Sequence, residues 1–133
     1  FGEHVIGKEV EEAMMSVANA EGVRIVEFTV APQVNPPEGG LPYHEWFVEF
    51  DEVPNNILAF SKQVDAAMIK QNIYYGDLIA GKILQALKIR MMQRDSFRNY
   101  MKSQGKLGGQ NKMPRLSNDR KIADQLSRHI QPI

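Results

Sequence analysis

The sequence predicts an α+β domain: a ferredoxin-like, mostly antiparallel sheet with helices on one face, plus two C-terminal helices. Three observations predict it. Residues 43–51 alternate with a period of two, as a strand does. Residues 8–20 place apolar side chains at i, i+3, i+4 and i+7, the period of a helix. The patterns then follow in the order strand, helix, strand, strand, helix, strand, which is that of a split βαβ pair, before two helical stretches close the chain.

Taken in order, residues 1–6 are short and apolar enough for an edge strand. Residues 8–20 form a helix whose inner face carries Val10, Ala13, Met14 and Val17. Glu9, Glu11 and Glu12 load its first turn, where the helix dipole favours negative charge, and Gly22 suits its C-terminal end. Residues 23–30 are rich in β-branched side chains and read as a strand, with Val26, Phe28 and Val30 on one face and Glu27 and Thr29 on the other. The stretch APQVNPPEGGLP, residues 31–42, is a loop by its prolines and glycines. The next strand, 43–51, sets His44, Trp46, Val48 and Phe50 against Glu45, Phe47 and Glu49. A second helix carries Ile57, Phe60, Val64, Ala67 and Met68 and ends near Gln71. NIYYGDLIAGK connects it to a last strand, 84–92, with Leu87, Ile89 and Met91 opposed to Lys88, Arg90 and Met92. A helix over 95–103 places Phe97, Tyr100 and Met101 together. After a loop, Ser117 or Asn118 caps a final helix with Ile122 and Leu126 turned inward.

A length of 133 residues is enough for one domain with a core, spanning residues 1–133. The absence of cysteine excludes disulfides, thiolate nucleophiles and cysteine-based zinc sites. No apolar run approaches the roughly 20 residues of a membrane span, and nothing at the start reads as a signal peptide. The expected compartment is the cytoplasm. Because the chain begins at Phe1 and not at Met, a piece of a longer protein is expected.

Zero net charge conceals an asymmetry. Residues 1–81 hold 4 Lys or Arg against 13 Asp or Glu, a net of −9; residues 82–121 hold 11 against 2, a net of +9. Either the basic half meets an anionic partner or the two halves neutralise each other in the fold. The basic half includes the glycine-proline segment GGQNKMPRLSNDRK, residues 108–121. Lys112 and Arg115, three apart, can both reach one phosphate, the lysine as a point charge and the arginine as a fork. The segment fits neither the P-loop nor the dinucleotide-binding fingerprint. A solvated basic loop is the plain alternative.

Other chemistry is thinly represented. His4, His44 and His129 have no ligand-like spacing, so no metal site is expected, and His44, on the face of Trp46, reads as a packed or rim histidine. Asp51 and Glu52 sit at a strand end before a proline and read as a solvated turn. Lys88, Arg90, Arg94, Arg98, Lys102, Lys106 and Lys112, with Phe97 and Tyr100 interleaved, keep an RNA-binding module open as an alternative. The strands lack the paired surface aromatics such a module uses. An amino-acid-sensing regulatory module shares the same outline.

The stretch GKLGGQNKMPRLSNDRKIADQL resembles the C-terminal end of the auxin-responsive Gretchen Hagen family of acyl acid amido synthetases, especially its bacterial members. Its core GQNKMPR, residues 109–115, is similar to the family's glycine-glutamine-x-lysine-x-proline-arginine segment, and FGEHVIGKEVEEAM to the start of the family's C-terminal domain. The resemblance runs through essentially the whole chain, specific at the basic loop and weak in the strands. It implies an adenylate-forming ligase, in which a large N-terminal domain binds ATP and a small carboxylic acid and a C-terminal lid swings over it. The acyl-AMP formed then passes its acyl group to an amino acid. The family's phosphate loop is missing from these 133 residues, so the resemblance implies an excised lid domain, inactive alone. Its partners would be its own N-terminal adenylation domain and the small-molecule substrates, with no nucleic acid or membrane, in a monomer. ATP, with Mg in the full-length enzyme, would be used there, and no cofactor is expected on the isolated domain. By the same resemblance Lys112 is the candidate catalytic lysine, and Gln110 and Arg115 order the loop or meet the nucleotide. His4 stands near a hinge-side lysine of plant members, a position where nucleotide contact is expected in the family.

Overall fold

In the computed structural model, residues 5–105 and 113–129 are described. The elements are α1 (Gly7–Glu21), β1 (Ile25–Gln33), β2 (Tyr43–Phe50), α2 (Ile57–Gln71), α3 (Ile73–Ala80), β3 (Lys88–Met91), α4 (Ser96–Ser103) and α5 (Lys121–Leu126), then a 3-10 turn, Ser127–His129. The α+β class is the one the sequence predicts.

The first helix forms as its apolar repeat demands: Val10, Ala13, Met14 and Val17 are all buried. The Glu9 carboxylate accepts the Ile6 N–H at 3.0 Å, which satisfies one donor at the helix start. At the other end Gly22 takes φ 67°, and the Val23 N–H reaches back to the Ala18 carbonyl at 2.9 Å, a Schellman closure that needs a left-handed residue.

The sheet has the order β1-β2-β3. β1 and β2 pair antiparallel over the longer ladder, Val30 facing Trp46 and Thr29 facing Phe47. β2 and β3 pair parallel, Trp46 facing Ile89. In a ferredoxin-like order the first strand would lie between these last two; here β3 sits directly against β2, joined to it through α2 and α3. Of the expected edge strand at 1–6, Val5 and Ile6 precede α1 outside any strand, and residues 1–4 lie outside the described residues.

Both faces of the sheet are covered. Phe28, Val30, Trp46 and Val48 meet α1, Phe60, Val64 and Met68 of α2, and Tyr75 of α3, with the Phe28 and Trp46 rings stacked at 6.1 Å. On the opposite face, Ala31, Phe47 and Met92 meet Phe97 of α4, Met113, and Ala123 and Leu126 of α5. The two C-terminal helices thus form a second layer of helices.

Four local expectations change. Val26, which the alternation places on the core face of β1, is exposed, because a register shift between Ile25 and Glu27 takes it out of the ladder. The connector after α2 contains α3, started by Asn72, whose side chain accepts the Tyr75 N–H at 3.0 Å. The last strand is shorter than 84–92 because the preceding N–H groups bond elsewhere: Leu84 to the Leu78 carbonyl, Gln85 to the Pro42 carbonyl, and Leu87 to the Asp65 carboxylate. Neither Ser117 nor Asn118 caps the final helix: α5 begins at Lys121 with Arg120 at its N-cap, and the Lys121 N–H is accepted by the Asp119 carboxylate, while Ser117 is held on β1 through its N–H to the Val30 carbonyl.

Candidate functional site

On the second face of the sheet, the strand positions that read as polar and outward are Glu27, Thr29, Glu45, Glu49 and Arg90. The structure turns them toward the C-terminal layer instead. Glu49 is 3% exposed and accepts the Asp95 N–H at 2.8 Å and the Phe97 N–H at 3.2 Å. It therefore places a carboxylate at the α4 N-terminus, where free N–H groups and the dipole favour it. Glu45 is 5% exposed and lies between two arginines: Arg90 Nε donates to its Oε2 at 2.7 Å, and Arg120 Nη2 approaches its Oε1 at 2.9 Å. Burial works most strongly against the charge of Arg90, but the hydrogen bond to Glu45 together with the charges of Glu45, Tyr43 and Glu38 outweighs it and raises its pKa. Arg120 also reaches Asp124 at 3.1 Å and the Pro32 carbonyl at 3.1 Å.

The segment 113–117 lies along the free side of β1. Leu116 forms a parallel bridge with Val30. Val30 N–H donates to the Arg115 carbonyl at 3.0 Å, and Ser117 N–H to the Val30 carbonyl at 2.9 Å. Thr29 Oγ1 donates to the Pro114 carbonyl at 2.6 Å. Met113 enters the core of the second face while Leu116 packs on that of the first. Arg115 Nη1 pairs with Glu27 and donates to the Phe28 carbonyl at 2.9 Å; its Nε lies 3.6 Å from Glu11 of α1, and its guanidinium stacks 4.2 Å over the Phe28 ring.

The −9 and +9 halves therefore meet inside the fold. Arg90, Arg115 and Arg120, with Lys88 on Glu38 at 3.3 Å, pair with carboxylates of the acidic half. Arg94, Arg98 and Lys102 stay exposed and make no ion pair among the described residues.

Of the site residues expected from sequence, Arg115 is the one the structure describes. Lys112, Gln110 and His4 lie outside the described residues. His44 is buried against the Tyr75 ring at 5.6 Å, and burial holds its pKa down at about 4. No group of three or more His, Cys, Asp or Glu placed to hold a metal occurs among the described residues. Sequence reasoning missed Glu27, Thr29, Glu45 and Arg120. The only local signal for the first three was acids and a threonine alternating on strands with apolar neighbours, which reads equally as a solvated face; Arg120 was visible only as one cation of the basic segment 108–121. Among the described residues no helix is long and apolar enough to cross a membrane.

The profile of the GH3 family C-terminal domain matches residues 8–121. A solved GH3.15 acyl acid amido synthetase superposes with a TM-score of 0.70 at 14% identity, covering 94% of this chain and 24% of that one. The AtGH3.15 acyl acid amido synthetase in complex with 2,4-DB superposes with the same score at 13% identity, covering 93% and 24%. At such identities the likeness is one of fold, and this chain spans about a quarter of the length of those proteins. No curated protein matches it in sequence.

Proposed function

The chain belongs to the GH3 family as its C-terminal domain, and from that premise we propose that it is the mobile lid of an ATP-dependent acyl acid amido synthetase. In this reading a separate N-terminal domain binds ATP and a small carboxylic acid. The lid brings a cation to the α-phosphate and the leaving pyrophosphate, where negative charge builds during adenylation. Lys112 supplies that cation, Gln110 flanks it, and His4 lies on the hinge side. The acyl group of the adenylate then passes to an amino acid. The enzyme works in the cytoplasm as a monomer, and the 133 residues have no catalytic activity alone.

The observation that carries the reading is the family match over residues 8–121, which includes the GQNKMPR segment. Its main rival fits less well. An RNA-binding sheet needs an open face with aromatic side chains for bases to stack on. Here both faces are covered, and Phe47 is buried beneath the C-terminal layer. The test compares the full-length protein with the same protein ending before Phe1. Acid-dependent exchange of pyrophosphate into ATP is expected from the first, and little from the second or from the 133 residues alone. Undiminished exchange without the domain would contradict the lid.

A further inference from the structure

We infer that Glu27 and Thr29 are positioning residues for the end of the GQNKMPR motif, residues 113–115, and that Arg115 acts as the clamp they hold and not as a ligand of the nucleotide. This rests on the proposed lid function for the part the segment plays, and on geometry for the clamp itself.

The guanidinium of Arg115 is committed on its edge and on one face. Nη1 serves Glu27 and the Phe28 carbonyl, Nε faces Glu11, and the Phe28 ring covers the plane. A phosphate that took Nη1 would have to displace the Glu27 carboxylate and strip the Phe28 carbonyl of its donor. The backbone is fixed as well. The bonds from Thr29 to Pro114, Val30 to Arg115 and Ser117 to Val30 bind three of four consecutive residues to β1. Met113 and Leu116 enter opposite cores across the sheet, which resists both sliding and rotation of the segment. Pro114 narrows the remaining freedom. The clamp thus fixes residues 113–117, which contain the end of the motif, against β1. Arginine suits this position because its planar fork serves a carboxylate and a carbonyl together while stacking on a ring, which a lysine cannot do.

The experiment uses the full-length protein with Glu27→Gln, Arg115→Met, the double variant, Thr29→Ser, Thr29→Val, and Arg24→Gln as a control at an exposed ion pair remote from the segment. Two readouts are taken: hydrogen exchange of the peptide containing Ser117, and steady-state pyrophosphate exchange. Glu27→Gln and Arg115→Met should each speed amide exchange by about tenfold, and the double variant should go no further than Arg115→Met, because Glu27 holds the segment through Arg115. Each should lower kcat by about tenfold and leave the KM for ATP unchanged. Thr29→Ser should retain wild-type behaviour while Thr29→Val follows Glu27→Gln. Fully additive effects would overturn the clamp. So would an ATP KM raised by Arg115→Met and untouched by Glu27→Gln, which would make the arginine a nucleotide ligand. If the unsubstituted protein shows no acid-dependent pyrophosphate exchange, the lid function fails, and the amide-exchange cycle alone decides the clamp.

Discussion

Replacing Glu45 by Gln removes one negative charge from a site where two arginines converge. The volume stays the same, so any loss is electrostatic and hydrogen-bonded in origin. The side chain of Glu45 is 6% exposed, and its two oxygens meet Arg90 at 2.7 Å and Arg120 at 2.9 Å. A hydrogen bond to a charged group contributes about 1.5–3 kcal/mol. Arg90 and Arg120 keep 30% and 19% of their side-chain exposure, so water recovers part of each loss; the lower figure applies to the Arg90 hydrogen bond, and the Arg120 contact, an ion pair without hydrogen-bond geometry, adds about 1 kcal/mol. The expected destabilisation is therefore about 2–3 kcal/mol. For a chain of this size that corresponds to a melting midpoint lower by roughly 10 °C. Urea unfolding followed by circular dichroism measures it, with an unchanged m-value showing that the denatured state is the same. Glu52→Gln, at an exposed pair with Arg24, should cost under about 1 kcal/mol and serves as the reference. A loss below about 1 kcal/mol for Glu45→Gln would show that the triad contributes no more than a solvated surface pair, and would refute its role in joining the C-terminal layer to the sheet.

Two further outcomes follow from burial. Because burial holds His44 at about 4 in the folded chain against an ordinary 6.5, the unfolded state takes up the proton first as the pH falls. Stability is full above about 6.5 and is lost as the pH drops toward 4, by about 2 kcal/mol between pH 7 and pH 5. Urea midpoints across that window should slope for the wild type and flatten in His44→Gln; equal slopes would assign the effect elsewhere. Phe47→Ala should cost about 3–5 kcal/mol, since it empties a site beneath α4 and α5. A cost under about 0.5 kcal/mol by the same unfolding measurement would mean that this face is open to solvent.

What could be read from the sequence is what local periodicity encodes. The α1 stripe, Gly22 at its end and the alternation through Trp46 and Val48 all stand as the patterns require. The helix α3 escaped because its inward stripe, Tyr75, Leu78 and Ile79, is barely one turn long and is masked by the exposed Ile73 and Tyr74 beside it and by Gly76 within it. Its start was legible in Asn72, a cap residue that also ends α2. The bulge at Val26 depends on the partner strand, and the neighbour relation of β2 and β3 on the crossover through α2 and α3, and neither is local. The candidate site is the extreme case. Arg115 was legible as a motif residue, but its partner Glu27 lies 88 residues away, and a glutamate on a strand carries no mark of the arginine it will meet. The charge asymmetry did signal such pairing. It could not separate internal neutralisation from an external anion, and the folded chain uses its carboxylates for the first.

The most direct test of the lid assignment is pyrophosphate exchange by the full-length protein carrying Lys112→Ala. Losing one preorganised charge contact at a reacting phosphate costs a factor of about 10² to 10³, and that fall is expected here. Lys106→Ala, on the same basic segment but outside GQNKMPR, should lose less than about tenfold. Equal rates for the two variants would contradict the assignment and leave Lys112 as part of a solvated basic face.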